Sequence, residues 1–299
     1  MKKNKTAATT NPLADLQLRE GQSIDLLKSL HILTSDGKIN QDSRRKLKQV
    51  MHLFQLIEAP LMQLIHSRFN DKKNSTFILA DHGAGKSYLG FILYDLFFKP
   101  RLNKSDIPFA GHVYGIETRA GLVESSQLLA KQLGFEHMSF LNLSASQSIQ
   151  DPSLATQIDV VTALHACDTA TDEAIAFALQ KKAQLIALVP CCQAEMATQL
   201  RHNKAFDLSR TPLSELWRHP LHTREIGSQA TNVLRCLYLE AMGYQVTVTE
   251  LVGWEHSLKN EIILARNIHQ KKRSAAERLQ ALLQEFGVVE WGAKRFALD

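Results

Sequence analysis

The stretch that decides the fold runs from Thr76 to Phe98, "TFILADHGAGKSYLGFILYDLFF". An apolar run ends at Asp81, a turn follows with glycines at Gly83 and Gly85, and a second apolar run starts at Tyr88. The "GKS" of this turn suggests a phosphate loop, but G-x-x-x-x-G-K-[ST] needs its first glycine where Ala80 stands. The later apolar runs also lack a terminal acidic partner for magnesium, ending in "HAC" (165–167) and "PCC" (190–192). A dinucleotide fingerprint fits no better, because Tyr88 stands where G-x-G-x-x-G wants its third glycine. What remains is D-x-G-x-G at a strand-to-helix turn.

Outward from this turn, short apolar runs alternate with helical patterns: "HVYGIE", "MSFLNL", "IDVVTALH" and "QLIALVP", then "YQVTVTELV" and "NEIILAR". Strands separated by helices imply parallel crossover units, and the last two runs are close enough to pair antiparallel. The expected fold is therefore α/β, a doubly wound and mostly parallel Rossmann-like sheet with an antiparallel C-terminal strand pair. Ahead of it, Leu47, Val50, Phe54, Ile57, Leu61 and Leu64 recur at helical spacing. With "SIDLLKSLHIL" and the Asp36-Gly37 turn, they predict an N-terminal helical appendage whose longer helix Pro60 kinks or divides. The expected boundaries are a tail at 1–12, the helical region at 13–72, the main domain at 73–268 and a basic helix with a tail at 269–299.

With 44% hydrophobic and 22% charged residues among 299, the composition is that of a globular chain with ample core. No apolar stretch reaches the roughly 18 residues that span a bilayer, and the basic start has no apolar segment behind it. No membrane association and a cytoplasmic location are expected. Four cysteines are too few and too uneven for a disulfide framework. The net charge of +5 is compatible with an acidic partner such as RNA.

Glycines at 83 and 85 let backbone turn tightly and approach a ligand where a Cβ would collide. In an open parallel sheet this turn lies at the carboxyl edge, and the next strand ends in Glu117, whose carboxylate can accept two ribose hydroxyls. Asp81, Gly83, Gly85 and Glu117 thus suit an adenosine cofactor lacking phosphates, although an ordinary tight turn explains the glycines alone.

At the fourth and fifth strands, "VVTALHACDTATDEAIAFAL" (160–179) and "LIALVPCCQAEM" resemble a bacterial family of class I S-adenosylmethionine-dependent methyltransferases carrying H-A-C-D-T-A-T-D and P-C-C. More distantly they are similar to eukaryotic methyltransferase-like proteins and to a tRNA 2'-O-methyltransferase family. The resemblance continues into "HTREIGSQATNVLRCLYLEAMGY" and "EHSLKNEIILAR", covering roughly residues 75–268. It departs from the family in Gly83-Ala84-Gly85 and in His256-Ser257-Leu258-Lys259-Asn260, where H-T-P-K-N is expected. It implies a methyltransferase sheet with S-adenosyl-L-methionine as cofactor, held by Asp81, Gly83, Gly85, Glu117, Ser144 and His165. His165, Asp168 and Asp172, just past the fourth strand, are the candidates for taking a proton from the acceptor. Thr169, Thr171 and Asp172 equally suit a helix cap, and His165 a core hydrogen bond.

Cys191, Cys192, Trp217, His256 and Lys259 are the candidates for substrate contact. Cys167, Cys191 and Cys192 with a histidine are ligand types for zinc, but no C-x-x-C pair exists and no metal is expected. Cys191 as a nucleophile toward a pyrimidine rests on one proline-cysteine dipeptide, and small residues lining the cofactor edge are the plainer reading. Arg201, Lys204, Arg210, Arg218 and Arg224 around Trp217, and the run "RNIHQKKRSAAERL", offer phosphate and stacking contacts to RNA, or simply solvated surfaces. No N-P-P-Y string follows the fourth strand. RNA is the leading acceptor, and the alternatives are a protein, a small molecule, or a binding module that keeps the fold without turnover.

Overall fold

A computed structural model of the chain describes residues 18–36, 40–70, 76–102, 109–164, 169–190, 194–202, 212–251 and 261–298. The strands are β1 (Phe77–His82), β2 (Gly111–Glu117), β3 (Met138–Asn142), β4 (Val160–Leu164), β5 (Leu185–Val189), β6 (Tyr244–Glu250) and β7 (Glu261–Asn267). They form one sheet in the order β3-β2-β1-β4-β5-β7-β6. β1 to β5 pair in parallel, while β7 runs antiparallel to both β5 and β6. The central strands are nearly continuous apolar runs because helices cover both faces; every residue of β5 is buried.

The helices are α1 (Ile24–Ser29), α2 (Gln41–Asn70), α3 (Tyr88–Leu93), α4 (Lys99–Leu102), α5 (Ala120–Gln132), α6 (Ala145–Gln150), α7 (Thr169–Gln180), α8 (Glu195–His202), α9 (Pro220–Ala241), α10 (Arg273–Glu285) and α11 (Val289–Ala293). A π-helical turn over Tyr94–Phe98 joins α3 to α4, and a 3-10 turn spans Pro212–Trp217. Among the described residues no helix is long and apolar enough to cross a membrane.

The N-terminal helices share the core of the sheet. Leu26, Phe54, Ile57 and Leu61 lie in one buried cluster with Phe77, Leu79, Phe91 and Val113. Polar clamps fix the seam: Arg19 donates to both oxygens of Glu58 at 2.6 and 2.7 Å, and the Ser23 N–H donates to Asp95 at 2.8 Å. Of the kink or division expected at Pro60, the division does not occur: α2 runs through it as one helix of 30 residues. Proline removes one backbone donor there, but Phe54 and Ile57 before it and Leu61 and Ile65 after it all pack into the core.

The C-terminal helices close the opposite face. Arg235 of α9 is fully buried, and its Nε donates to Asp172 of α7 at 2.6 Å. Arg295, just beyond α11, pairs with both Asp172 and Glu195, and the Trp291 indole donates to Glu195 at 3.0 Å. Because β7 is antiparallel, the basic run from Arg266 to Arg273 emerges at the amino edge of the parallel strands, where Leu185 opposes Arg266. That edge is remote from the glycine turn.

Candidate functional site

β1 delivers the chain into its turn at the carboxyl edge of the sheet. Gly83 and Gly85 have φ of 64° and 58°, the left-handed region that glycine enters without penalty. Ser87 also takes a left-handed conformation, at φ 51°, held by its N–H donating to the Ala84 carbonyl and its hydroxyl donating to Asp81 at 3.0 Å. α3 then packs so closely that a Cβ on Gly90 would stand 2.4 Å from Ser87 Oγ.

Asp81 builds this turn from beneath. Its carboxylate is 1% exposed and accepts from Ser87 on one oxygen and from Thr162 at 2.8 Å on the other. Burial pushes it up to about 6, against the pull of the Thr162, Ser87 and Gly90 donors. Asp81, expected among the cofactor-binding residues, directs both oxygens to the turn and its neighbouring strand.

His82, next along β1, points to the opposite face, against Phe177 at a ring separation of 5.1 Å. It is 4% exposed, and among the described residues neither ring nitrogen has a hydrogen-bond partner. Burial pulls the imidazole down to about 4, with Glu117 opposing, so it is neutral at physiological pH.

Glu117 ends β2 beside the turn and is 7% exposed. Burial drives its carboxyl up, but Arg119 and the N–H groups of Arg119 and Gly85 outweigh this and hold it at about 2. The Gly85 N–H donates to it at 2.7 Å, and Arg119 Nε and Nη2 at 2.9 and 3.1 Å. Asn142 at the end of β3 fixes the adjoining backbone by donating to the carbonyls of Glu117 and Thr118.

These groups border a cavity of about 320 Å³, within the range of small-ligand sites. Its polar lining is His82, Glu117, Thr118, Arg119 and Glu173, and its apolar lining includes Ile116, Leu143, Ala145 and Ala170. Glu173 lies just past the first turn of α7, where partial burial and its neighbour Asp172 raise its carboxyl. A carboxylate with glycine backbone beside it at the cavity wall fits the hydroxyl and amine groups of an adenosine ligand.

Of the other expected site residues, Ser144 caps α6, its hydroxyl accepting from the Gln147 N–H in a capping box. Its neighbours Leu143 and Ala145 line the cavity. Asp172, expected as a candidate proton acceptor, pairs through one oxygen with Arg235 and through the other with Arg295. Trp217 lines a separate apolar groove with Leu213, Leu216, Ile226 and Phe286. His165, Asp168, Cys191, Cys192, His256 and Lys259, and with them Cys167, lie outside the described residues. Among the described residues no three histidine, cysteine or acidic side chains gather to hold a metal. Cys236 is a half-buried thiol pushed up to about 12 by burial, Glu261 and Glu240.

Sequence reasoning missed His82, Arg119 and Glu173. Strand alternation was the available signal for His82, since it places His82 opposite Asp81.

Residues 45–199 match a family model described as a methyltransferase domain. No curated protein matches the chain. Among solved structures, it is similar to a putative caffeoyl-CoA O-methyltransferase from Staphylococcus aureus at 12% identity and TM-score 0.43, over 85% of this chain and 97% of that one. Magnesium protoporphyrin IX methyltransferase from Synechocystis PCC 6803 with bound SAH gives 13% identity and TM-score 0.42, over 81% and 93%. M. capricolum TrmK in complex with S-adenosyl-homocysteine gives 11% and 0.39, over 67% and 66%. No residue role is carried over from these likenesses.

Proposed function

We propose, from the premise that the chain belongs to the methyltransferase-domain family, that it transfers a methyl group from S-adenosylmethionine to RNA. The observation that carries the cofactor reading is the cavity at the carboxyl edge, where Glu117 stands beside the Gly83 and Gly85 backbone. The cofactor supplies a methyl group already activated on a sulfonium. The protein's part is to align the acceptor, exclude water and receive a proton.

Glu117 accepts the ribose hydroxyls, and the turn lets the ligand lie against backbone. Glu173, whose carboxyl partial burial and Asp172 raise, is a described carboxylate lining this cavity that could take a proton; the sequence candidates His165 and Asp168 lie outside the described residues.

The RNA reading is supported by the net charge of +5 and by exposed arginines on the segment following β5. α9 runs from the carboxyl edge toward the amino edge, because Tyr244 after it pairs with Asn267. Arg218 and Arg224, both more than half exposed, therefore stand toward the cavity's side of the sheet. The Lys271-Lys272-Arg273 run leaves from the opposite edge and is not part of this surface.

The test compares modified nucleosides in total RNA from cells with and without the gene. Loss of one methylated nucleoside, restored by the purified protein and S-adenosylmethionine, is the expected result. Unchanged RNA with methyl label entering protein or small molecules would replace the acceptor.

A further inference from the structure

Arg119 is a poor choice for the place it holds. It occupies the N-cap of α5 in an extended conformation and makes no side-chain capping bond. That position favours Ser, Thr, Asp or Asn, and a cation there meets the positive end of the helix dipole. Its side chain turns back instead onto Glu117, closing a two-point ion pair across the mouth of the cavity.

The Glu117 carboxylate is thereby saturated. Oε1 accepts from Arg119 Nε at 2.9 Å, the Arg119 N–H at 3.1 Å and Thr118 Oγ1 at 3.2 Å. Oε2 accepts from the Gly85 N–H at 2.7 Å and Arg119 Nη2 at 3.1 Å. A carboxylate offers about four lone-pair sites, so five donors leave none for a ribose diol. The backbone donors are fixed by the fold. The guanidinium is the group able to leave, since the Arg119 side chain is 68% exposed while that of Glu117 is 7% exposed.

We infer that Arg119 is an intramolecular strap on the ribose subsite. In the free protein it keeps Glu117 ionised and oriented, and the cofactor's diol displaces it when the site fills. This rests on the reading of the cavity as the cofactor site. Binding is then an exchange, in which two guanidinium hydrogen bonds are given up for two hydroxyl ones and a cation is released at the cavity mouth.

Removing the strap should tighten binding, the reverse of what loss of a direct contact does. Calorimetry with S-adenosylhomocysteine should show Arg119→Gln binding about threefold to tenfold more tightly than wild type, the scale of one solvent-facing bidentate pair. Arg119→Lys keeps the charge without the fork and should fall between the two. The advantage of Arg119→Gln should shrink as salt rises from about 0.05 to about 0.5 M, because salt loosens the pair in the wild type. Unchanged or weaker binding by a folded Arg119→Gln overturns the strap, as does an Arg119→Lys indistinguishable from wild type. Glu117→Ala separates the two readings: weakened binding there with unchanged Arg119→Gln removes the strap alone, whereas unchanged binding by Glu117→Ala removes the site.

Discussion

Replacing His82 by leucine should stabilise the protein, and more so in acid. The side chain is 4% exposed and both ring nitrogens lack a partner among the described residues, so an apolar replacement of similar size recovers about 1–3 kcal/mol of unmet hydrogen bonding at neutral pH. Acid adds a second contribution. The imidazole falls from 6.5 to about 4 on folding, so between those values the unfolded chain holds the extra proton and stability is lost as pH drops. That displacement corresponds to about 3 kcal/mol. Asp81 works in the opposite sense: raised from 3.8 to about 6, it makes the folded state bind the extra proton, and stability is lost as pH climbs through that window. In the wild type the two neighbours largely offset one another between about pH 4 and 6. Urea denaturation of wild type and His82→Leu side by side cancels every other titrating group. The stability difference should favour the variant at neutral pH and widen by about 3 kcal/mol between about pH 7.5 and 4. A difference that stays constant with pH would mean that His82 titrates as a solvated imidazole, and the account of its burial would fail.

Two further substitutions test the frame around the site. Asp172→Ala leaves the fully buried Arg235 without its carboxylate and should cost about 3–5 kcal/mol in thermal or chemical unfolding; a variant that keeps its stability while losing only turnover would contradict this structural role and favour a catalytic one. Gly227→Ala would place a Cβ 2.7 Å from the backbone nitrogen of Ala197, so α8 and α9 must separate, and a loss of about 1–3 kcal/mol in urea denaturation is expected. No change there would show that the two helices are not in close contact.

The sheet was legible because buried strands are short unbroken apolar runs. Each of the seven runs read from the sequence became a strand with ends shifted by no more than about two residues. β1 extends through Asp81 and His82, polar residues that look like turn but continue the ladder opposite Gly115 and Ile116. That Glu117 stands against the glycine turn could be read because it ends the strand after it. What Asp81 and Asp172 do could not, because their partners are distant in sequence: Thr162 lies 81 residues from Asp81, and Arg235 and Arg295 lie 63 and 123 residues from Asp172. Whether Pro60 divides its helix could not be read either, because local propensity allows a break there, whereas tertiary packing on both sides carries α2 through it.

The central claim, an adenosine site built on Glu117 that takes no phosphate chain, is tested most directly by calorimetry with S-adenosylmethionine and ATP on wild type and Glu117→Ala. S-adenosylmethionine should bind the wild type, ATP should not, and Glu117→Ala should lose roughly 1–3 kcal/mol of cofactor affinity while remaining folded. Binding of ATP, or of S-adenosylmethionine with equal strength to a folded Glu117→Ala, would contradict it.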